Sequence, residues 1–282
     1  LKRNPNGKKL YEKAYGVAAD AYESEQAQML LVSSLVAFRA AVQLMGARAR
    51  KGASQPDANE PAWPELAVFD CYACHHDLKT DSWRQQRGYA GSPGRPRMRP
   101  WPTALVHVVI QHADRKKGGA AWAKEFHARM KELEEVFSKT PFGKAHDVAA
   151  RADALVKWSD QIIAALQSDH AAGDRANSRS VLMSLLKRPA KEMLDFDSAR
   201  QIGWSVNTLL AGMNLETPQN AKVKQSLEQL EAQLRLQLPK GQERVVKEFL
   251  PKVLPTIAAY DPQAFQKTMA QLTAELSKQM PP

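Results

Sequence analysis

The sequence predicts an all-α fold, with an irregular region between an N-terminal helix and a C-terminal helical bundle. Three observations predict it. Apolar residues recur at intervals of three and four along most of the chain. No segment alternates apolar and polar residues with the period of two that a half-buried strand needs. Capping side chains stand directly before prolines at Thr217-Pro218 and Asp261-Pro262, where a helix tolerates proline at its first position.

Taken in order, Ala27, Leu30, Leu31, Leu35, Phe38, Val42 and Met45 mark the buried stripe of a helix from Ser24 to Gly46. Arg48, Arg50, Lys51 and Gly52 follow as C-terminal signals. The segment Lys8 to Glu23 is helix-compatible and joins it. Pro56, Pro61 and Pro64 make residues 52–66 a loop, and a run of Gly and Pro from Gly88 to Pro102 makes a second irregular stretch. A helix starts at Thr103 and carries Leu105, Val106, Val109 and Ile110. Beyond Gly119 four further stripes follow: Val148 to Leu166, Ile202 to Met213, Val223 to Leu234 and Phe265 to Met280. Pro251 and Pro255 split or kink whatever helix lies between Gln242 and Tyr260.

The 282 residues suffice for one large domain or two modest ones, and 44% apolar with 25% charged residues is ordinary for a globular chain. No run approaches the roughly 18 consecutive apolar residues of a membrane span, so no transmembrane segment is expected. The first residues, Leu1-Lys2-Arg3, read as a processed end or as a piece of a longer chain, so the lack of a signal sequence does not argue for the cytoplasm. A net charge of +10 suits an acidic protein, a nucleic acid or an anionic surface. The basic residues are dispersed and no nucleic-acid-binding module stands out, so a nucleic-acid partner is not expected.

Only two cysteines occur, three residues apart, which excludes a long-range disulfide and leaves a local metal, redox or cofactor site. They belong to Cys71-Tyr72-Ala73-Cys74-His75, the C-x-x-C-H attachment pattern of a c-type haem. Two thiols one helical turn apart match the two vinyl groups of the porphyrin, and the next residue, His75, then lies beneath the iron as its proximal ligand. A zinc site would have to wrap Cys71, Cys74, His75 and His76 around one ion from an almost contiguous run, which tetrahedral geometry resists. A redox dithiol would need a βαβ context, and none is visible. The expected cofactor is one covalent haem c per chain. The expected domains are residues 1–116, the N-terminal helix plus haem-binding region, and 117–282, the C-terminal helical domain.

The run Phe69-Asp70-Cys71-Tyr72-Ala73-Cys74-His75-His76-Asp77-Leu78, followed by Ser82-Trp83-Arg84-Gln85, resembles the final haem segment of multihaem c-type cytochromes related to the electron carriers of ammonia-oxidising metabolism. The resemblance covers roughly residues 66–110. It implies an exported, periplasmic protein in which several haems, mostly ligated by two histidines, pack for electron hopping. This chain departs from that pattern by carrying one attachment motif. Either a further haem-bearing chain or N-terminal portion completes it, or it is a one-haem relative. His76 is then a candidate ligand for a neighbouring haem.

A low-spin carrier also needs a sixth ligand. His107, flanked by Val106, Val108 and Val109, is the first candidate, and Met98 in the Pro-rich stretch is the alternative. His112, His127, His146 and His170 lie on polar stretches and read as surface residues. Arg84, Arg87, Arg95, Arg97 and Arg99 fall in a stretch without Asp or Glu from Ser82 to Ala113. Arg84 and Arg97 are candidate partners for haem propionates, and the others suit a docking patch for an acidic redox partner. Trp83, Tyr89 and Trp101 are candidates to pack on the porphyrin.

The expected function is electron transfer between redox partners. One alternative is a haem enzyme or gas sensor with an open iron face. Another is a haem-bearing structural subunit of a larger respiratory complex, docked through the helices after Gly119.

Overall fold

The structure is a computed structural model that describes residues 19–55, 62–70, 95–117, 119–168, 175–213, 221–236, 255 and 257–279. The described residues contain eight α-helices and no strand, so the fold is all-α. In chain order the helices are α1 (Ala19–Ser54), α2 (Val106–Lys117), α3 (Ala121–Lys139), α4 (Ala145–Ser168), α5 (Arg175–Lys187), α6 (Phe196–Gly212), α7 (Ala221–Leu234) and α8 (Pro262–Gln279). Short 3-10 turns occupy Leu66–Val68 and Trp101–Thr103.

The chain divides into two compact units: Met29–His170, and Leu1–Gln28 with Ala171–Pro282. The sequence placed its boundary at 116/117 instead. The difference has a local cause. Asp114, in the last turn of α2, accepts the backbone N–H groups of Trp122 (2.9 Å) and Ala123 (3.1 Å) at the start of α3. It thereby caps a helix whose own preceding residue, Ala120, makes no side-chain cap, and it ties α2 to α3 across a loop too short to separate domains.

In the unit Met29–His170, the stripe on α1 behaves as its spacing predicts. Leu30, Leu31, Leu35, Phe38, Val42 and Met45 are all buried. Phe38 meets Phe126 of α3 edge-on at 5.8 Å and Trp158 of α4 at 6.4 Å. At Gly46 a Cβ would fall 2.9 Å from the Cβ of Ala152, so only glycine lets α1 and α4 approach this closely. Arg39 and Arg50 meet Asp160 and Asp153 of α4 at 2.5 and 2.6 Å. By length and composition the stretch Gln26–Ser54 of α1 is apolar enough to cross a membrane. Within it, Phe38 packs against α3 and α4 as a core residue does.

The helix expected from Thr103 begins as the 3-10 turn Trp101–Thr103 and becomes α-helical at Val106. Pro100 stands as the N-cap of this turn and Pro102 in its first positions, where a helix start tolerates proline. In this unit α2 packs on both α3 and α4. It therefore buries two faces: Val106, Val109, Ile110 and Ala113 on one, Val108 and His112 on the other. His112, expected at the surface, is thus only 6% exposed.

In the other unit, α5 and α7 pack on α6 and α8. Ile202, Val206, Leu209, Leu210 and Met213 are buried, as are Phe265, Met269, Leu272 and Leu276. Asp195 caps α6 by accepting the N–H of Ser198 at 2.9 Å. Asp261 caps α8, ahead of Pro262, by accepting the N–H groups of Gln263 (2.8 Å) and Ala264 (3.1 Å), as the sequence predicts. The Tyr260 hydroxyl donates to the Leu194 carbonyl at 3.1 Å and fixes the approach to α8. The expected cap at Thr217-Pro218 lies outside the described residues, as do residues 1–18 and most of the stretch around Pro251.

Candidate functional site

Cys71, Cys74, His75, His76, Trp83, Arg84, Arg87 and Tyr89 lie outside the described residues, as does His170. The ends of the segment that carries most of them do not. Phe69 and Met98 form an isolated antiparallel bridge. The Asp70 N–H donates to the Arg97 carbonyl at 2.8 Å, and the Arg99 N–H donates to the Val68 carbonyl at 2.9 Å. These two bonds flank the pair, which makes Phe69 and Met98 a non-hydrogen-bonded pair whose side chains share one face. The two ends of residues 70–97 are thus held together at one point.

That point is anchored on the C-terminal half of α3. Phe69 is 3% exposed, and its ring meets those of Trp63 (5.8 Å), Phe137 (5.2 Å) and Phe142 (5.1 Å) edge-on. The Trp63 Nε1–H donates to the Gly143 carbonyl at 3.2 Å, so the same cluster fixes the loop between α3 and α4. In that loop Phe142 and Gly143 both take positive φ, 64° and 71°. On the returning side, Arg97 forms an ion pair with Glu134, Arg95 Nε donates to the Ser138 carbonyl (3.1 Å), and Arg99 Nε donates to the Phe69 carbonyl (3.1 Å). Three arginines of the carboxylate-free stretch therefore hold this closure together. Arg97 retains further N–H donors beyond the one facing Glu134.

Met98, expected as the alternative candidate for a distal ligand, is half-buried and shares a face of the bridge with Phe69. His107 lies on α2, partly buried, with its ring 5.7 Å from that of Phe126. His127 follows Phe126 on α3, and its ring centroid is 6.0 Å from that of His107, with the planes inclined by 33°. Sequence periodicity gave no sign of this pairing, because two imidazoles on different helices meet only through the packing of α2 on α3. His146 is a surface residue, as expected, with its side chain 89% exposed. Trp101 lies in the 3-10 turn ahead of α2.

Phe126 and Phe137 are eleven residues apart on α3, three turns plus about 20° of rotation, and so lie on one face about 16 Å apart. Phe69 sits at one end of this stripe and His107 at the other. Beside Phe126, at a ring distance of 5.1 Å, Trp158 is fully buried, and its Nε1–H has no hydrogen-bond partner among the described residues. Such an orphaned donor costs about 1–3 kcal/mol.

Among the described residues no three His, Cys, Asp or Glu side chains converge on a possible metal position. No family model matches the chain, and neither a curated protein nor a solved structure matches it.

Proposed function

We propose that this chain is a c-type cytochrome that carries one covalent haem and passes electrons between redox partners in the periplasm or another exported compartment. The observation that carries the reading is Cys71-Tyr72-Ala73-Cys74-His75, a complete attachment motif with two thiols one helical turn apart and an adjoining imidazole. The donor chemistry suits haem and suits zinc poorly. When bound, the haem supplies a one-electron couple whose potential follows from axial ligation and burial.

The chain's own residues have distinct tasks in this reading. Cys71 and Cys74 would hold the porphyrin, and His75 would ligate the iron. Arg84 would pair with a propionate, and Arg97, whose charge already faces Glu134, would offer only its remaining N–H donors. His107 would be a second ligand to the iron. Cys71 stands two residues beyond Phe69, hence within about 7 Å of it along the chain. One motif turn and two imidazole side chains extend that reach towards the roughly 16 Å that separates the two ends of the α3 stripe. Met98, half-buried and sharing a face of the bridge with Phe69, is less suited to the distal role. His76 remains the group for a neighbouring haem if a further haem-bearing chain or segment completes the assembly.

One observation favours a second reading. His127 beside His107 offers two imidazoles where a carrier needs one, and an enzyme or sensor with an open iron face would use such a group to move protons. Spectra of the oxidised and reduced protein with its intact mass test both readings. One added haem mass, a six-coordinate low-spin spectrum and slow carbon monoxide binding are expected of the carrier. In His107→Ala the ferric spectrum should become high-spin, while His127→Ala leaves it low-spin. A chain expressed with a haem-attachment system and isolated without haem overturns the proposal. A native high-spin protein that binds carbon monoxide rapidly replaces the carrier with the enzyme or sensor.

A further inference from the structure

We propose that a basic cavity between the end of α3 and the start of α4 is the docking site for a carboxylate-rich electron-transfer protein, an inference that rests on the haem reading above. The cavity has a volume of about 500 Å³ and is lined by Val136, Lys139 and Thr140 on one side and by Lys144, Asp147, Ala150 and Arg151 on the other. Three cations and one carboxylate leave a local excess of two positive charges. Arg151 is shared with Glu132 at 2.9 Å, and Asp147 lies 3.6 Å from His146 Nδ1. Lys139 and Lys144 are exposed and make no ion pair among the described residues.

The arginine-rich stretch is the obvious place to look for docking charge, but its described members are committed elsewhere. Arg97 faces Glu134, while Arg95 and Arg99 hold backbone carbonyls. Among the described residues, the cations of this cavity that make no ion pair are the two lysines. The cavity adjoins the point where the cysteine-bearing segment is anchored. Lys139 follows Ser138, whose carbonyl receives Arg95. Lys144 follows Gly143, whose carbonyl receives Trp63. Phe142 touches Phe69, and Cys71 is two residues further along the chain. A carboxylate-bearing partner seated here lies close to the porphyrin's point of attachment, which short-range electron transfer requires. The Val136 and Ala150 side chains give it an apolar floor, and the lysines at the rim steer its approach.

The test uses the full-length holoprotein in its ferric form, reduced in stopped flow by an acidic two-iron ferredoxin and, separately, by the small cation hexaammineruthenium(II). For the native protein the ferredoxin rate should fall on the order of tenfold between low and high salt, as steered association does. In Lys139→Glu/Lys144→Glu the low-salt ferredoxin rate should be lower by a similar factor and the salt dependence largely lost. The hexaammineruthenium(II) rate should stay the same or rise, which shows that haem and fold are intact. Lys139→Gln/Lys144→Gln should fall between the native protein and the charge-reversed one. A charge-reversed variant that keeps the native ferredoxin rate and salt dependence overturns the docking site while leaving the haem reading standing. Millimolar inorganic phosphate that slows the ferredoxin reaction far more than chloride at equal ionic strength also overturns it, in favour of a small-anion site. A chain without haem absorption removes the underlying reading and this inference with it.

Discussion

Replacing Phe69 by alanine removes the ring that closes the cysteine-bearing segment onto α3. Phe69 is 3% exposed and meets three aromatic rings at 5.1–5.8 Å. Burial and cavity terms for a phenylalanine-to-alanine change amount to about 3–5 kcal/mol. Each edge-to-face pair adds about 0.5–1.5 kcal/mol beyond area, which places Phe69 towards the upper end of that range. For a unit of about 140 residues, roughly 3 °C per kcal/mol makes the expected fall in Tm about 10–15 °C. Phe69→Leu keeps most of the apolar volume and should lose less than half as much. Urea unfolding followed by circular dichroism measures the total. Amide exchange at Asp70 and Arg99, whose N–H groups make the two bridge bonds, reports the local opening. Both amides should exchange faster, while those of Val206 and Leu209 in α6 should not change. A loss below about 1 kcal/mol, or unchanged exchange at Asp70 and Arg99, would refute the idea that this aromatic cluster closes the segment.

Further outcomes follow from single side chains. Gly143→Ala should cost roughly 1–3 kcal/mol by chemical denaturation, because φ is 71° and the new Cβ would fall 2.8 Å from Val136 Cγ1 and Val148 Cγ2. Asp261→Ala should cost about 1 kcal/mol through the lost cap of α8, and Asp261→Asn should recover most of it. The Lys278 ammonium, hydrogen-bonded at 3.0 Å, holds the Glu275 carboxyl below its ordinary range. A depressed folded-state pKa gives a contribution present above the unfolded value and lost as pH falls through the folded one. The Glu275 carboxyl resonance in NMR should accordingly titrate below that of an unpaired glutamate, and Lys278→Ala should raise its midpoint.

The helices were legible because burial and periodicity carry the same information. Every residue from Ala27 to Met45 assigned to the α1 stripe is buried, and Asp261-Pro262 opens α8 as capping chemistry predicts. What escaped the sequence depends on which elements meet. The two buried faces of α2 come from its having two neighbours, and they carry His112 inside. The His107–His127 pair arises where α2 crosses α3. Glu134, the partner of Arg97, lies 37 residues away, so a scan for carboxylates within the arginine-rich stretch could not find it. The Cys71-to-His75 pattern lies outside the described residues and rests on its covalent spacing in the sequence alone.

The bridge between Phe69 and Met98 gives the chain the architecture of a cassette. Because the bridge holds the segment's two ends together, changes in the segment's length add only slowly to the entropy cost of closing it. Replacing residues 71–96 by a short turn should leave the helices standing. Conversely, the same two ends could receive a segment with a different cofactor motif without redesigning the core.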